Sequence, residues 1–149
     1  MCRSGSNEGV CSDELPLRAI HVKVRPDRVE VEVRVADARY AATDGLLMQR
    51  CLRAYPTLGK HACRNEVGPV FAAVMGNTST PHLLEHLVIE AQTRAARDAS
   101  RVFTGTTQWS AQDASVAKVA FSYEDDLVAL NAFNQALLFL NQALIELRG

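Results

Sequence analysis

The pentapeptide His82-Leu83-Leu84-Glu85-His86 sets two imidazoles four residues apart, with a carboxylate just before the second. A helix turns by about 100° per residue, so the two histidines stand about 40° apart on one side, and Glu85 lies about 60° to the other side of His82. Imidazoles so placed can chelate one cation, zinc above all, and Glu85 is near enough to take a proton from a water at the same ion. A catalytic zinc needs a third protein ligand and one open position. Cys63 and His61 in the preceding loop are candidates, and so is Glu90, which lies about 80° off the His82 direction. The same letters would also suit a solvated helix face on which Glu85 makes an ordinary hydrogen bond.

The order His-x-x-Glu-His is the reverse of the commoner zinc-peptidase helix and resembles the inverzincin motif. Leu83, Leu84, Leu87, Val88 and Ala91 occupy the opposite arc, so this helix can bury its back and present the imidazoles to a cleft. Thr80 followed by Pro81 predicts its start, with Thr80 as N-cap, and the helix is expected to run from Pro81 to about Asp98. Gln92 and Thr93 read as ordinary polar helix positions.

Other elements must hold this helix in place. Ile20, Val22 and Val24 alternate with charged or polar residues, as do Val29, Val31, Val33 and Val35, on either side of Pro26-Asp27-Arg28. That pattern predicts a hairpin with its valines on one face, in a sheet covered on one side, and with His21 on the solvated face. Gly45 to Tyr55 carries Leu47, Cys51, Leu52 and Tyr55 at helical spacing and is stopped by Pro56, with Cys51 as a small core residue. From Pro56 to Thr80 the periodicity dissolves into a long segment of the kind that is often functional. Val102 to Trp109 and Val116 to Glu124 read as strands, and Trp109 and Tyr123 as core residues more than cleft residues. Asp126 to Leu147 is a long helix with a stripe of Phe133, Leu137, Leu140, Leu144 and Leu147. Its apolar width, with Leu130, Leu138, Phe139 and Ile145, suits a core helix or one that also packs against a second copy in a homo-oligomer.

The resulting order, ββααββα, predicts an α+β fold: one domain over residues 18–149, with a mainly antiparallel four-stranded sheet packed against helices, behind a disordered leader of residues 1–17. A chain of 149 residues can bury a core without staples. With 16 basic against 17 acidic residues there is no basic stripe for nucleic acid or for an anionic membrane surface. The N-terminal residues lack the apolar run of a secretory signal, and no stretch reaches about 18 uninterrupted apolar residues, so a cytoplasmic location is expected. The cysteines Cys2, Cys11, Cys51 and Cys63 form no regular framework and read as reduced thiols, which leaves Cys63 available as a ligand.

Several separated pieces resemble one family. His61-Ala62-Cys63 followed by Phe71, the run from His82 to Gln92, Gly105-x-Thr107, and Val119-Ala120-Phe121-Ser122-Tyr123-Glu124 before the last helix are similar, in order and spacing, to the amino-terminal domain of cyanophycin synthetase. That enzyme builds an aspartate-arginine storage polymer with ATP. The resemblance, read as that of a stand-alone domain, implies a metallopeptidase-like site with one zinc per chain, held by Cys63, His82 and His86, and with Glu85 as base. It implies as substrate a peptide or isopeptide bond, cyanophycin-like polymer included; in other members the domain tethers the growing polymer. A non-catalytic polypeptide-binding or oligomerisation module of the same fold is the alternative. Two pieces depart from the family pattern: Arg64 to Val70 replaces its glycines, and Gly105-Thr106-Thr107-Gln108 lacks its basic residues.

Overall fold

Residues that are β-branched at every second position build the sheet. In the computed structural model, which describes residues 15–63 and 68–149, strands β1 (Leu17–Val24) and β2 (Arg28–Val35) form an antiparallel hairpin. The valines of β2 alternate strictly between buried and half-buried neighbours, as predicted. In β1 the register slips between Ala19 and His21, so Leu17, Ala19, Val22 and Val24 stand opposite Val35, Val33, Val31 and Val29. Ile20 is the extra residue of a bulge and leaves the row that simple alternation gave it. Val22 and Val24 face the helical side yet remain exposed, because the helical layer does not reach the outer end of β1. His21 is exposed, as read from the sequence.

The remaining strands are β3 (Gly105–Trp109) and β4 (Val116–Ser122), and the sheet order β1-β2-β4-β3 is antiparallel throughout. With helices α1 (Gly45–Ala54), α2 (Thr80–Ala95) and α3 (Asp126–Arg148), the order is the ββααββα of an α+β domain. β3 starts three residues later than Val102, and β4 ends at Ser122 rather than Glu124. Beyond the ladder, the Thr104 N–H bonds the Ser122 hydroxyl instead of a backbone carbonyl. Of the leader predicted over residues 1–17, residues 1–14 lie outside the described part; Leu17 is fully buried and opens β1.

α2 packs over β3 and β4, and α3 lies beside it against β1 and β2. Val29, Val31, Val33, Val119 and Phe121 of the sheet meet Leu83, Leu84, Leu87 and Val88 of α2 and Phe133, Leu140 and Leu144 of α3 in one core. Each such side chain removed from water contributes roughly 1.5–3 kcal/mol. Asn141 is the polar exception on α3, where its amide accepts from Leu17 N and donates to Leu17 O at 2.8 and 2.9 Å. By length and composition alone α3 could cross a membrane, but of its predicted stripe Phe133, Leu140 and Leu144 fill the core and Leu137 packs against it, while Leu147 in the last turn is exposed. Cys51 is a buried thiol whose pKa burial pushes up to about 12, and Arg50 pulls it only slightly back.

Each helix begins on a side-chain cap: Asp44 for α1, Ser79 for α2 and Asp125 for α3. Ser79, not Thr80, caps α2, by accepting the His82 N–H at 3.1 Å. Thr80 is already helical, and its buried hydroxyl donates to Tyr40 O at 2.7 Å. Pro81 occupies the first turn as predicted, and the helix stops at Ala95, short of Asp98.

Candidate metal centre

The described parts of the segment from Pro56 to Thr80 are tied down by backbone bonds even though their sequence lacks periodicity. Ala62 bridges Val70, Cys63 N–H donates to Pro69 O, and Phe71 N–H donates to His61 O, which closes the loop that presents Cys63. At its far end Thr43 N–H donates to Thr78 O and Thr80 N–H to Ala41 O, fixing the entry to α2. The Cys63 loop and the turn before Ser79, both without periodicity, are thus brought against the first turns of α2.

There the Cys63 sulfur and one nitrogen each from His82 and His86 lie within 4.8 Å of one another. Cys63 Sγ is 3.4 Å from His82 Nε2. Zinc bonds of about 2.3 Å to sulfur and about 2.0 Å to nitrogen put tetrahedral ligands about 3.5 Å apart, so a small contraction would close the set on one ion. His61 and Glu90, the other candidate ligands, stand behind this trio. His61 Nε2 is 2.7 Å from Glu90 Oε1, and His61 Nδ1 is 3.1 Å from His86 Nδ1.

The protons in that chain follow from Glu90. Burial works to raise its pKa, but hydrogen bonds from His61 and Thr57 and the charges of His61 and Arg94 outweigh it and hold the carboxyl below its ordinary range. An ionised carboxylate only accepts, so His61 Nε2 donates. His86 is neutral: burial first, then the neighbouring His82 and His61, push its pKa down to about 3. His61 Nδ1 and His86 Nδ1 share one proton between them, and where His86 supplies it the lone pair of His86 lies on Nε2. That atom is buried and has no hydrogen-bond partner among the described residues. An orphaned buried imidazole nitrogen beside a thiol and a second imidazole is what a soft divalent cation would satisfy. His82 has the same construction, with Nδ1 2.9 Å from Thr78 Oγ1 and Nε2 toward Cys63. Burial lowers its pKa as well.

Phe71, fully buried, stacks on the His86 ring at 4.0 Å and meets His82 edge-on at 5.1 Å, so it fixes both ring planes. Glu85 is 4 % exposed and lies 3.9 Å from His86 Nε2. Burial drives its pKa up to about 7 against a lowering hydrogen bond from the Thr107 hydroxyl, which donates to Oε1 at 2.6 Å. Its other oxygen lies where a side chain on Gly105 would begin: a Cβ there would fall 2.7 Å from Glu85 Oε2 and 2.9 Å from Ala120 O. Gly105 is therefore required for the carboxylate to lodge beneath β3.

The trio and Glu85 open onto a cleft of about 1270 Å³ between α2, the Cys63 loop and β3. Trp109 lines its far end and is partly exposed, in contrast to the core reading. Tyr123 packs on the core, and its hydroxyl donates to Arg25 O. Gln92, read as an ordinary polar position, is buried and donates to Ser122 O at 2.9 Å, locking α2 to β4. The sequence reading did not assign the roles of Thr78, Thr107, Phe71 or the His61–Glu90 pair. Only Thr78, four residues before His82, carried a local signal.

A helix that presents His-x-x-Glu-His beside an antiparallel sheet, with a loop thiol facing it, defines a small α+β domain with a candidate metal site. A family model for the cyanophycin synthase-like N-terminal domain matches residues 29–146, so the chain belongs to that family. No curated protein matches the chain.

Proposed function

We propose that this domain is a zinc-dependent hydrolase of a peptide or isopeptide bond, in which Cys63, His82 and His86 hold one ion and Glu85 is the base. The observation that carries the reading is the conjunction of an orphaned His86 Nε2 in the Cys63, His82, His86 cluster with a buried carboxylate 3.9 Å away. A zinc ion held there would polarise the scissile carbonyl and acidify the attacking water. Glu85, 3.9 Å from His86 Nε2, is placed both to take the proton of that water and to release it to the leaving amine. The Thr107 hydroxyl fixes the carboxylate through Oε1 and leaves Oε2 for the exchange. Membership in the family makes cyanophycin-like isopeptide polymer the first substrate to try.

Purified protein should carry about one zinc per chain, and Glu85→Gln should keep the metal while losing roughly 10²- to 10⁴-fold in turnover. Unchanged turnover in that variant would remove Glu85 from the chemistry. The exposed Leu127 and Leu138 on α3 favour a second reading, a non-catalytic module that assembles through this helix. A metal-free protein that forms a stable oligomer would favour it.

A further inference from the structure

The sheet edge beside the candidate metal centre is regular, and no strand among the described residues covers it. Ser122 N–H donates to Thr104 O and Ser110 N–H to Val116 O, so the alternate positions Thr104, Thr106, Gln108 and Ser110 spend their backbone groups on β4. In an antiparallel ladder the intervening residues, Gly105, Thr107 and Trp109, turn their N–H and C=O groups the other way. No strand lies beyond them among the described residues, and all three line the cleft. The opposite edge is built differently. β1 carries the bulge at Ile20 together with Arg18 and Lys23, devices that oppose the addition of another strand. β3 pairs without a register shift over its five residues and bears no charge.

The base lies directly under this open edge. Thr107 holds Glu85 through its hydroxyl, and the missing side chain of Gly105 makes room for the second carboxylate oxygen. We propose that β3 is the substrate platform: an extended polypeptide adds to it as a further strand, and the bond opposite Gly105 to Thr107 is the one offered to Glu85. This rests on the hydrolase reading above. A strand added at the usual spacing of about 4.8 Å would pair every second residue with the outward amides and turn alternate side chains into the cleft. Recognition is then of a backbone in extended conformation more than of one sequence.

The test uses Glu85→Gln protein and metal-stripped wild type, neither of which should turn over. Each is offered a mixed-sequence library of N-acetylated, C-amidated octapeptides, and retained peptides are resynthesised with a single N-methyl group at each position in turn. The expected result is a loss of at least about tenfold at alternate positions and little between them. Slowed hydrogen exchange at the amides of Gly105, Thr107 and Trp109 should accompany binding. Losses without alternation, or exchange unchanged at those three amides, would overturn the platform. Should no peptide be retained while metal-loaded wild type cleaves peptides, the platform falls and the hydrolase stands. Alternation and protection without any cleavage would retain the platform and end the hydrolase, and neither binding nor cleavage would end both.

Discussion

α2 and α3 lie side by side on one face of the same sheet, and they bury opposite kinds of residue. The buried positions of α3 are alanines, leucines, a phenylalanine and a single amide, Asn141, which both gives and takes a hydrogen bond with Leu17. α2 buries Thr80, Glu85, His86, Glu90 and Gln92 alongside its leucines. Polar groups away from water are costly unless paired, and a helix whose only task is to fill a core does not accumulate them. Four of the five on α2 are paired within the protein: Thr80 with Tyr40, Glu85 with Thr107, Glu90 with His61 and Gln92 with β4. His86 meets His61 through Nδ1, and its Nε2 has no hydrogen-bond partner among the described residues. The difference separates a helix held by packing from one whose packing supports a site.

The contrast can be broken most sharply at the ligands. Cys63→Ser or His82→Ala should weaken zinc binding well beyond the roughly 100-fold that outer partners are worth, as read by chelator competition. The circular dichroism of the metal-free protein should not change, since both side chains are only half-buried, at the edge of the core. Leu140→Ala on α3 should do the reverse: about 2–5 kcal/mol lost in urea unfolding, with the zinc stoichiometry of the folded protein kept.

Glu85 gives a test that depends on pH. Its folded pKa of about 7 stands above the ordinary 4.5, so the metal-free folded state holds this proton more tightly than the unfolded chain. The resulting stabilisation is complete below about pH 4.5 and is lost as the pH rises through about 7. Metal-free Glu85→Gln should therefore unfold at higher urea than wild type at pH 8, by up to about 3 kcal/mol, and the gap should shrink toward pH 4.5. An equal gap at both pH values would mean that Glu85 is not buried as a carboxylate. The smallest expected effect is at Glu90→Gln, which removes the charge that orders His61 and His86. Zinc affinity should fall about 10- to 100-fold, and loss of the whole site would show that Glu90 is itself a ligand.

Much of this was legible in the chain. The β2 valines, the leucine stripe of α3, Pro81 in the first turn of α2 and the spacing of His82, Glu85 and His86 are local patterns, and local patterns are set by the helix and strand repeats. The choice between Ser79 and Thr80 as cap was not legible, because both side chains suit the position and the decision came from Tyr40, forty residues away, which takes the Thr80 hydroxyl. The bulge at Ile20 was hidden for a similar reason, since a slip in register depends on the partner strand.

The amino-acid order by itself determined which elements form and which face of α2 bears imidazoles, through periodicities of a few residues. Which of Cys63, His61 and Glu90 stands beside those imidazoles, and how deeply Glu85 is buried, only the tertiary structure decided. Sequence carries no distances between the Cys63 loop, α2 and β3; those were set by the loop's backbone bonds, the Phe71 wedge and the space left at Gly105.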